Sequence, residues 1–352
     1  MRIEEIDRNF TVSTNIDRPD MVFFDCRQTP FSVHGVFYEN GRFRRMPEAT
    51  ARTVSEGVFG LHANTAGGRV RFVTDSPYIA IHAKMDNIGK MPHFPLTGSA
   101  GFDLYTGRRY LHTFVPPYAI TDGYEAVCDL HEDLRDGKSH EFTLHMPLYS
   151  DVCELYIGLK KGCTLLSAQP YDLPHPVVYY GSSITQGGCA SRPGNAYENI
   201  VSSVLHIDHV NLGFSGNARA EQTMTDYIRS LPMSVFVYDY DHNAPSVEHL
   251  KNTHETLFKA VRAQYPDLPV VMMTRPQPYL NAQEKERLQV VKQTYENAVA
   301  GGDTNVYFIP GNTILKPPFT HTSLVDNCHP NDSGFLAMAQ AVIGVLQKIM
   351  QN

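Results

Sequence analysis

The sequence contains no tryptophan. The widest aromatic platform for stacking a ligand is therefore absent, and its 19 Tyr and 18 Phe are left to fill that role. It has no run or stripe of Lys and Arg. With 30 basic residues against 37 acidic ones the net charge is −7, which argues against a nucleic-acid partner. No continuous apolar stretch approaches the ~20 residues of a membrane span, so no membrane partner is expected. The opening stretch, residues 1–8, lacks the apolar centre of a signal peptide, and the expected location is cytoplasmic unless a leader has been removed. The six cysteines, Cys26, Cys128, Cys153, Cys163, Cys189 and Cys328, include no C-x-x-C pair and no zinc-type spacing. They read as free thiols of a reducing compartment. Among 16 histidines there is no H-E-x-x-H, and His206 and His209 are too loosely placed for a metal site. Internal repeats and low-complexity segments are absent too.

What is present is a globular chain. Its 352 residues suffice for two ordinary domains, and 42% hydrophobic with 19% charged residues is a folding composition. Two halves differ in rhythm. Up to about residue 172 the chain reads as short, alternating strands, at 69–74, 78–84, 101–105, 109–115, 124–129, 140–146 and 153–159. Turn chemistry separates them, including Asn40-Gly41, Gly67-Gly68, Asp122-Gly123 and Asp136-Gly137. That spacing predicts an all-β sandwich, with no long helical period competing. From about 175, apolar strands at 177–181, 209–214, 234–240, 269–274 and 305–310 alternate with helical stretches. One, 247–264, puts Leu250, His254, Leu257, Phe258 and Val261 on one stripe. Another, 333–350, does so with Phe335, Met338, Ala339, Val342, Leu346 and Ile349. Buried strands between helices predict a doubly wound parallel sheet. The boundary falls at 168–176, where Pro170, Pro174 and Pro176 interrupt regular structure, giving domains 1–172 and 173–352.

Loops at the carboxyl ends of such strands converge on one rim. The first carries Gly181-Ser182-Ser183-Ile184-Thr185-Gln186-Gly187, the second Ser215-Gly216-Asn217, the third Asp241-His242-Asn243 and the last Asp326-Asn327-Cys328-His329-Pro330. A serine hydroxyl needs a base within hydrogen-bond reach, and His329 is the candidate. Asp326 suits the role of holding the imidazole in one tautomer. The backbone N–H groups of Ser183 and Gly216 and the side-chain amide of Asn243 are candidate donors to a developing oxyanion. Each residue has a plainer reading: Gly216 a turn, Asn243 a cap, His329 a helix entry, Asp326 a solvated carboxylate. It is their order after successive strands that favours the functional one. Ser182 and Ser215 are rival nucleophiles; Ser215, in Gly213-Phe214-Ser215-Gly216, lacks the full G-x-S-x-G elbow.

Ser183, Gly216, Asn243 and His329 in that chain order, with Asp326 three residues before the histidine, resemble the SGNH (GDSL-type) esterase family. Gly101-Phe102-Asp103-Leu104-Tyr105 resembles the GxDLY domain that precedes such esterases. The resemblance implies a flavodoxin-like three-layer α/β/α catalytic domain behind a jelly-roll-like, carbohydrate-binding-module-like β-sandwich. It also implies ester hydrolysis without cofactor or metal, with Ser183 rather than Ser182 as nucleophile. Two departures are visible. The usual Gly-Asp-Ser is Gly181-Ser182-Ser183 here, so a local structural carboxylate is missing, and only the Asn of the third block carries over. The run 181–194 is similar to acetyl-xylan esterases and related carbohydrate deacetylases, which points to a small-molecule or oligosaccharide ester as substrate and a short acyl group, acetyl first. Arg192 and Arg275 are further candidates for substrate contact, with a structural ion pair as the alternative. An acyltransferase sharing the acyl-enzyme, or a carbohydrate-binding protein on an inactive scaffold, are the competing functions.

Overall fold

The computed structural model describes residues 12–316 and 319–351. Its contacts divide the chain into two compact units.

The N-terminal unit holds β1 (Met21–Asp25), β2 (Ser32–His34), β3 (Phe37–Glu39), β4 (Arg42–Arg44), β5 (Arg69–Thr74), β6 (Tyr78–Asp86), β7 (Phe102–Thr106), β8 (Arg109–Phe114), β9 (Gly123–Asp129), β10 (His140–His145), β11 (Asp151–Lys160) and β12 (Leu165–Leu166). One antiparallel sheet runs β1-β11-β6-β9, and the other β12-β5-β10-β7-β8 with β2 also on β5. Alternation puts Ile79, Ile81, Ala83 and Met85 of β6, and Leu155, Ile157 and Leu159 of β11, into a core shared with Val70, Phe72, Leu104, Phe142 and Leu144 of the other sheet. This is the expected sandwich, with β5, β7, β8 and β10 in one sheet and β6, β9 and β11 in the other. Asn40 and Gly41, both at positive φ, join β3 to β4, a hairpin absent from the sequence reading.

The C-terminal unit contains α1 (Glu48–Val54), α2 (Glu56–Leu61), β13 (Val177–Gly181), α3 (Tyr197–Leu205), β14 (His209–Gly213), α4 (Gln222–Ser230), β15 (Val235–Asp239), α5 (Val247–Gln264), β16 (Val270–Met273), α6 (Ala282–Ala300), β17 (Val306–Ile309) and α7 (Asp332–Gln351). The sheet is parallel, ordered β14-β13-β15-β16-β17, the flavodoxin-like order. Alternate residues face opposite layers. Val178, Tyr180, Phe236, Tyr238, Val270 and Met272 pack with α4, α5 and α6. On the other face Tyr179 meets Tyr197 of α3 edge-on, and Tyr197 stacks on Phe335 of α7. The predicted stripe of α5 is its buried face residue for residue. On α7 the stripe holds except for Ile349, which is half-buried.

By length and composition α7 is apolar enough to cross a membrane, a test that a core helix passes as well, and its stripe of Phe335, Met338, Ala339, Val342 and Leu346 is buried within this unit. One finding corrects the sequence reading: a single cut at 172 does not divide the units. Residues 46–62 belong to the C-terminal unit and 191–194 to the N-terminal one. Helices of seven and six residues are too short to stand out as a periodic pattern. Yet Met46, Ala51 and Val58 enter the core beside Met224 and Ile228.

Residues 171–352 alone should therefore be unstable. Burying Met46 and Val58 alone is worth roughly 1.5–3 kcal/mol each, a large share of the ~5–15 kcal/mol that separates folded from unfolded domains. Thermal melts should show loss of cooperative unfolding in this fragment, and its recovery when residues 46–62 are fused ahead of it. A fragment as stable as the full chain would contradict this packing.

Candidate active site

The site is built where β13 lies between β14 and β15, level with both: Gly181 is in register with Gly213 and with Asp239. Beyond Gly181 the chain closes one tight turn. The N–H of Gln186 donates to Ser182 O at 2.9 Å, that of Gly187 to Ile184 O at 2.9 Å and that of Gly188 to Ser183 O at 2.8 Å. Ser183 keeps 7% of its surface while Ser182 has none, its hydroxyl accepting from the Ile184 N–H at 3.1 Å. Of the two serines, Ser183 is the one presented outward.

The loop before α7 brings His329 to this turn. Asp326 Oδ1 accepts the N–H groups of Cys328 and His329 at 2.9 and 2.7 Å, closing a short turn around its own carboxylate. His329 Nδ1 lies 2.9 Å from Asp326 Oδ2, which fixes the tautomer with Nδ1 as donor and Nε2 as acceptor. Nε2 is 2.9 Å from Ser183 Oγ. Burial works against the Asp326 charge, but the hydrogen bonds from the His329 backbone and imidazole and from the Cys328 N–H outweigh it and hold the carboxyl down at about 2. Asn331 accepts from the Ser333 N–H at 3.0 Å and so starts α7 directly after the histidine. Gly216, at φ 69°, makes the turn after β14. Gln186 Oε1 ties that turn to the Ser183 turn by accepting the Ser215 N–H at 3.0 Å. Asn243 Oδ1 accepts the Ala218 N–H at 3.4 Å, linking the loop after β15 to the turn after β14. Four strand-end loops thus meet within one unit, with a hydroxyl, an imidazole and a carboxylate in a continuous relay.

Comparison with known proteins agrees. Residues 174–347 match the GDSL-like lipase/acylhydrolase family, and residues 21–165 match the GxDLY N-terminus of SGNH-type esterases. The chain belongs to the SGNH (GDSL-like) hydrolases. By that membership it is a carboxylic ester hydrolase. A Bacteroides ovatus protein described as a GDSL-like lipase is similar over 94% of this chain and 98% of its own, at 25% identity and TM-score 0.82. The fold is shared with the salicylyl-acyltransferase SsfX3 of a tetracycline biosynthetic pathway (19% identity, 92% and 96% coverage, TM-score 0.76). It is also shared with a family two carbohydrate esterase from Clostridium thermocellum (13%, 91% and 99%, 0.65). No curated protein matches the sequence at a significant level.

In this SGNH hydrolase both candidate arginines are held in ion pairs. Arg192 belongs to the N-terminal unit, where Nη1 meets Asp103 Oδ2 at 3.2 Å and the guanidinium lies 4.0 Å over the Tyr110 ring. Asp103 also accepts the Gly194 N–H at 2.9 Å. Burial pushes the Asp103 carboxyl up to about 7 against the pull of Gly194 and Arg192. Asp103 and Tyr105 of the Gly-x-Asp-Leu-Tyr stretch thus anchor residues 191–194. Arg275 Nη2 pairs with Glu284 Oε1 at 2.6 Å, the carboxylate that also closes the capping box of α6. Its N–H donates to Asp241 Oδ1 at 3.2 Å.

Sequence reasoning missed the polar layer under the turn. Thr185, Gln186, Asn211 and Asp239 are buried. Asn211 Nδ2 donates to Thr185 O at 2.6 Å, and its Oδ1 accepts from Gly213 N at 2.9 Å. Thr185 hydrogen-bonds to Asp239. Burial, relieved by the Thr185 hydroxyl and reinforced by the Asp241 charge, keeps the Asp239 carboxyl well above its ordinary range. An acid ending an otherwise apolar strand, Val235-Phe236-Val237-Tyr238-Asp239, is the signal that could have found it.

The depressed Asp326 carboxyl gives a pH expectation. An acid whose folded pKa lies below its unfolded one keeps its contacts above the ordinary carboxylate range and loses them as pH falls through the folded value. The Asp326 carboxyl-carbon NMR shift should titrate with a midpoint near 2; a midpoint near 4 would mean that the His329 and Cys328 bonds do not form in solution.

Proposed function

We propose that this SGNH hydrolase is a serine esterase that removes short acyl groups, acetyl first, from a sugar or oligosaccharide. The observation that carries the reading is the relay Ser183 Oγ to His329 Nε2 and His329 Nδ1 to Asp326, at 2.9 Å each. In the proposed mechanism His329 takes the Ser183 proton as the hydroxyl attacks the ester carbonyl carbon. Asp326, ionised at neutral pH, stabilises the imidazolium. The N–H groups of Ser183 and Gly216 and the Asn243 amide receive the oxyanion, each donor worth ~10²–10³ in turnover. Collapse expels the alcohol, protonated by His329, and leaves an acyl-Ser183 that water, activated by the same histidine, hydrolyses. The sugar class is supported by the local resemblance of residues 181–194 to deacetylases. The fold shared with carbohydrate esterases, one of them in complex with cellohexaose, supports it too. Transfer of the same acyl group to an alcohol is the second reading, favoured by the fold shared with an acyltransferase. The two separate by product analysis of an acetyl ester incubated with an added sugar or alcohol acceptor.

Ser183→Ala should abolish hydrolysis of p-nitrophenyl acetate with the melting temperature retained, and a serine-directed phosphonate should modify the wild type once, on Ser183. An adduct on Ser182 or Ser215, or an active mutant, would refute the assignment.

Acyl length is checked with p-nitrophenyl esters of increasing chain. The expected order is acetyl above octanoyl in kcat/KM. The reverse order would mark a lipase-like enzyme.

A further inference from the structure

We propose that Asp239 is a positioning residue for Ser183, acting through Thr185 as a hydrogen-bonding bracket on the nucleophile turn. The inference rests on the reading of Ser183 as nucleophile. Three observations carry it. Asp239 ends β15 level with Gly181, the residue at which the turn begins, and is 2% exposed. Its Oδ1 takes a hydrogen bond from the hydroxyl of Thr185, which is fully buried two residues beyond Ser183. And a Cβ on Gly181 would overlap Asp239 Oδ1 and Thr185 Oγ1 together, so the first residue of the Gly181-Ser182-Ser183 motif is glycine because this pair occupies the space.

Thr185 is fixed at both ends. Its side chain is held by β15 through Asp239, and its carbonyl by β14 through Asn211. The turn carrying Ser183 is thereby pinned to the strands on either side of its own. The Gly-Asp-Ser form of this turn carries a carboxylate of its own, and here serine stands in that place at 182. Asp239 returns a carboxyl group to the turn from the neighbouring strand. The groups acting on it are the Thr185 hydroxyl, the phenol of fully buried Tyr197 and the Asp241 carboxyl. None is a cation. The bracket therefore depends on shape and hydrogen bonding, and the isosteric amide should replace it.

The test uses the full-length protein, with kcat and KM on p-nitrophenyl acetate and the rate of phosphonate labelling of Ser183. Asp239→Ala should lower kcat and the labelling rate by about 10²-fold with KM within about twofold, since a displacement of the nucleophile on the order of 1 Å costs that much. Asp239→Asn should restore both to within about threefold of wild type across pH 6 to 9. Thr185→Val should match Asp239→Ala, and the double variant should be no worse than either single one. Should Asp239→Ala fail to fold, Thr185→Val decides alone. Unchanged kcat and labelling in Thr185→Val, or Asp239→Asn as damaging as Asp239→Ala, overturns the inference. Labelling of the wild type elsewhere than Ser183 overturns the catalytic reading instead, so the two failures are distinguishable.

Discussion

The register of β13 between β14 and β15 is the constraint on which the site depends. Parallel pairing sets Gly181 level with Gly213 on one side and Asp239 on the other. At both glycines a side chain would collide with the turn that follows β13: with Thr185 and Asp239 at Gly181, and with the Gln186 backbone at Gly213. The turn can fold back over its strand only because two adjacent strands lack a Cβ at the same level. A one-residue slip would swap which face each side chain occupies and bring a bulky residue under the turn.

The polar groups gathered there are costly to bury unless each finds a partner. Asn211 uses both ends of its amide, on the Thr185 carbonyl and the Gly213 N–H. Gln186 spends its oxygen on the Ser215 N–H. Thr185 meets Asp239. Leaving a carboxylate ionised in such a place without a cation would cost several kcal/mol, more than a single hydrogen bond of about 1 kcal/mol returns, and burial accordingly pushes the Asp239 carboxyl well above its ordinary range. Asp326 faces the opposite balance. It is 42% exposed and receives two backbone N–H groups, so it stays charged. Two acids of one unit are thus shifted in opposite directions by their surroundings, one suited to structure and the other to stabilising an imidazolium.

Much of this was legible in the sequence. The five strands of the parallel sheet, seven strands of the sandwich and the buried face of α5 were all readable, while β1 and β12 were not picked out. In each readable element, an apolar pattern of period two or 3.6, or an unbroken apolar run, spans enough residues to rise above chance. The residues Ser183, Asp326 and His329 were readable because they stand at strand-end loops in a known order. Three things were not readable. Helices α1 and α2 are too short for a period to show, and their place beside α4 is a tertiary fact. The strands β2, β3 and β4 have three residues each, below any alternation test. Arg192 looked like a rim residue from its position after Ser183, but its partners Asp103 and Tyr110 lie more than eighty residues earlier, and only folding shows that they are spoken for.

The pattern of what was missed has a physical reason. Residues that meet substrate must stand on loops at strand ends, and sequence order preserves that placement. Residues that hold those loops act from neighbouring strands, where adjacency follows sheet order and not chain order. Asp239 is 56 positions from Ser183 along the chain but level with Gly181 across one strand pair. A departure within a motif, such as Ser182 where aspartate is usual, therefore leaves open whether a function is lost or supplied from the next strand. The geometry favours supply. A carboxyl group on β15 reaches the same turn, and the glycine that begins the motif is shaped around it.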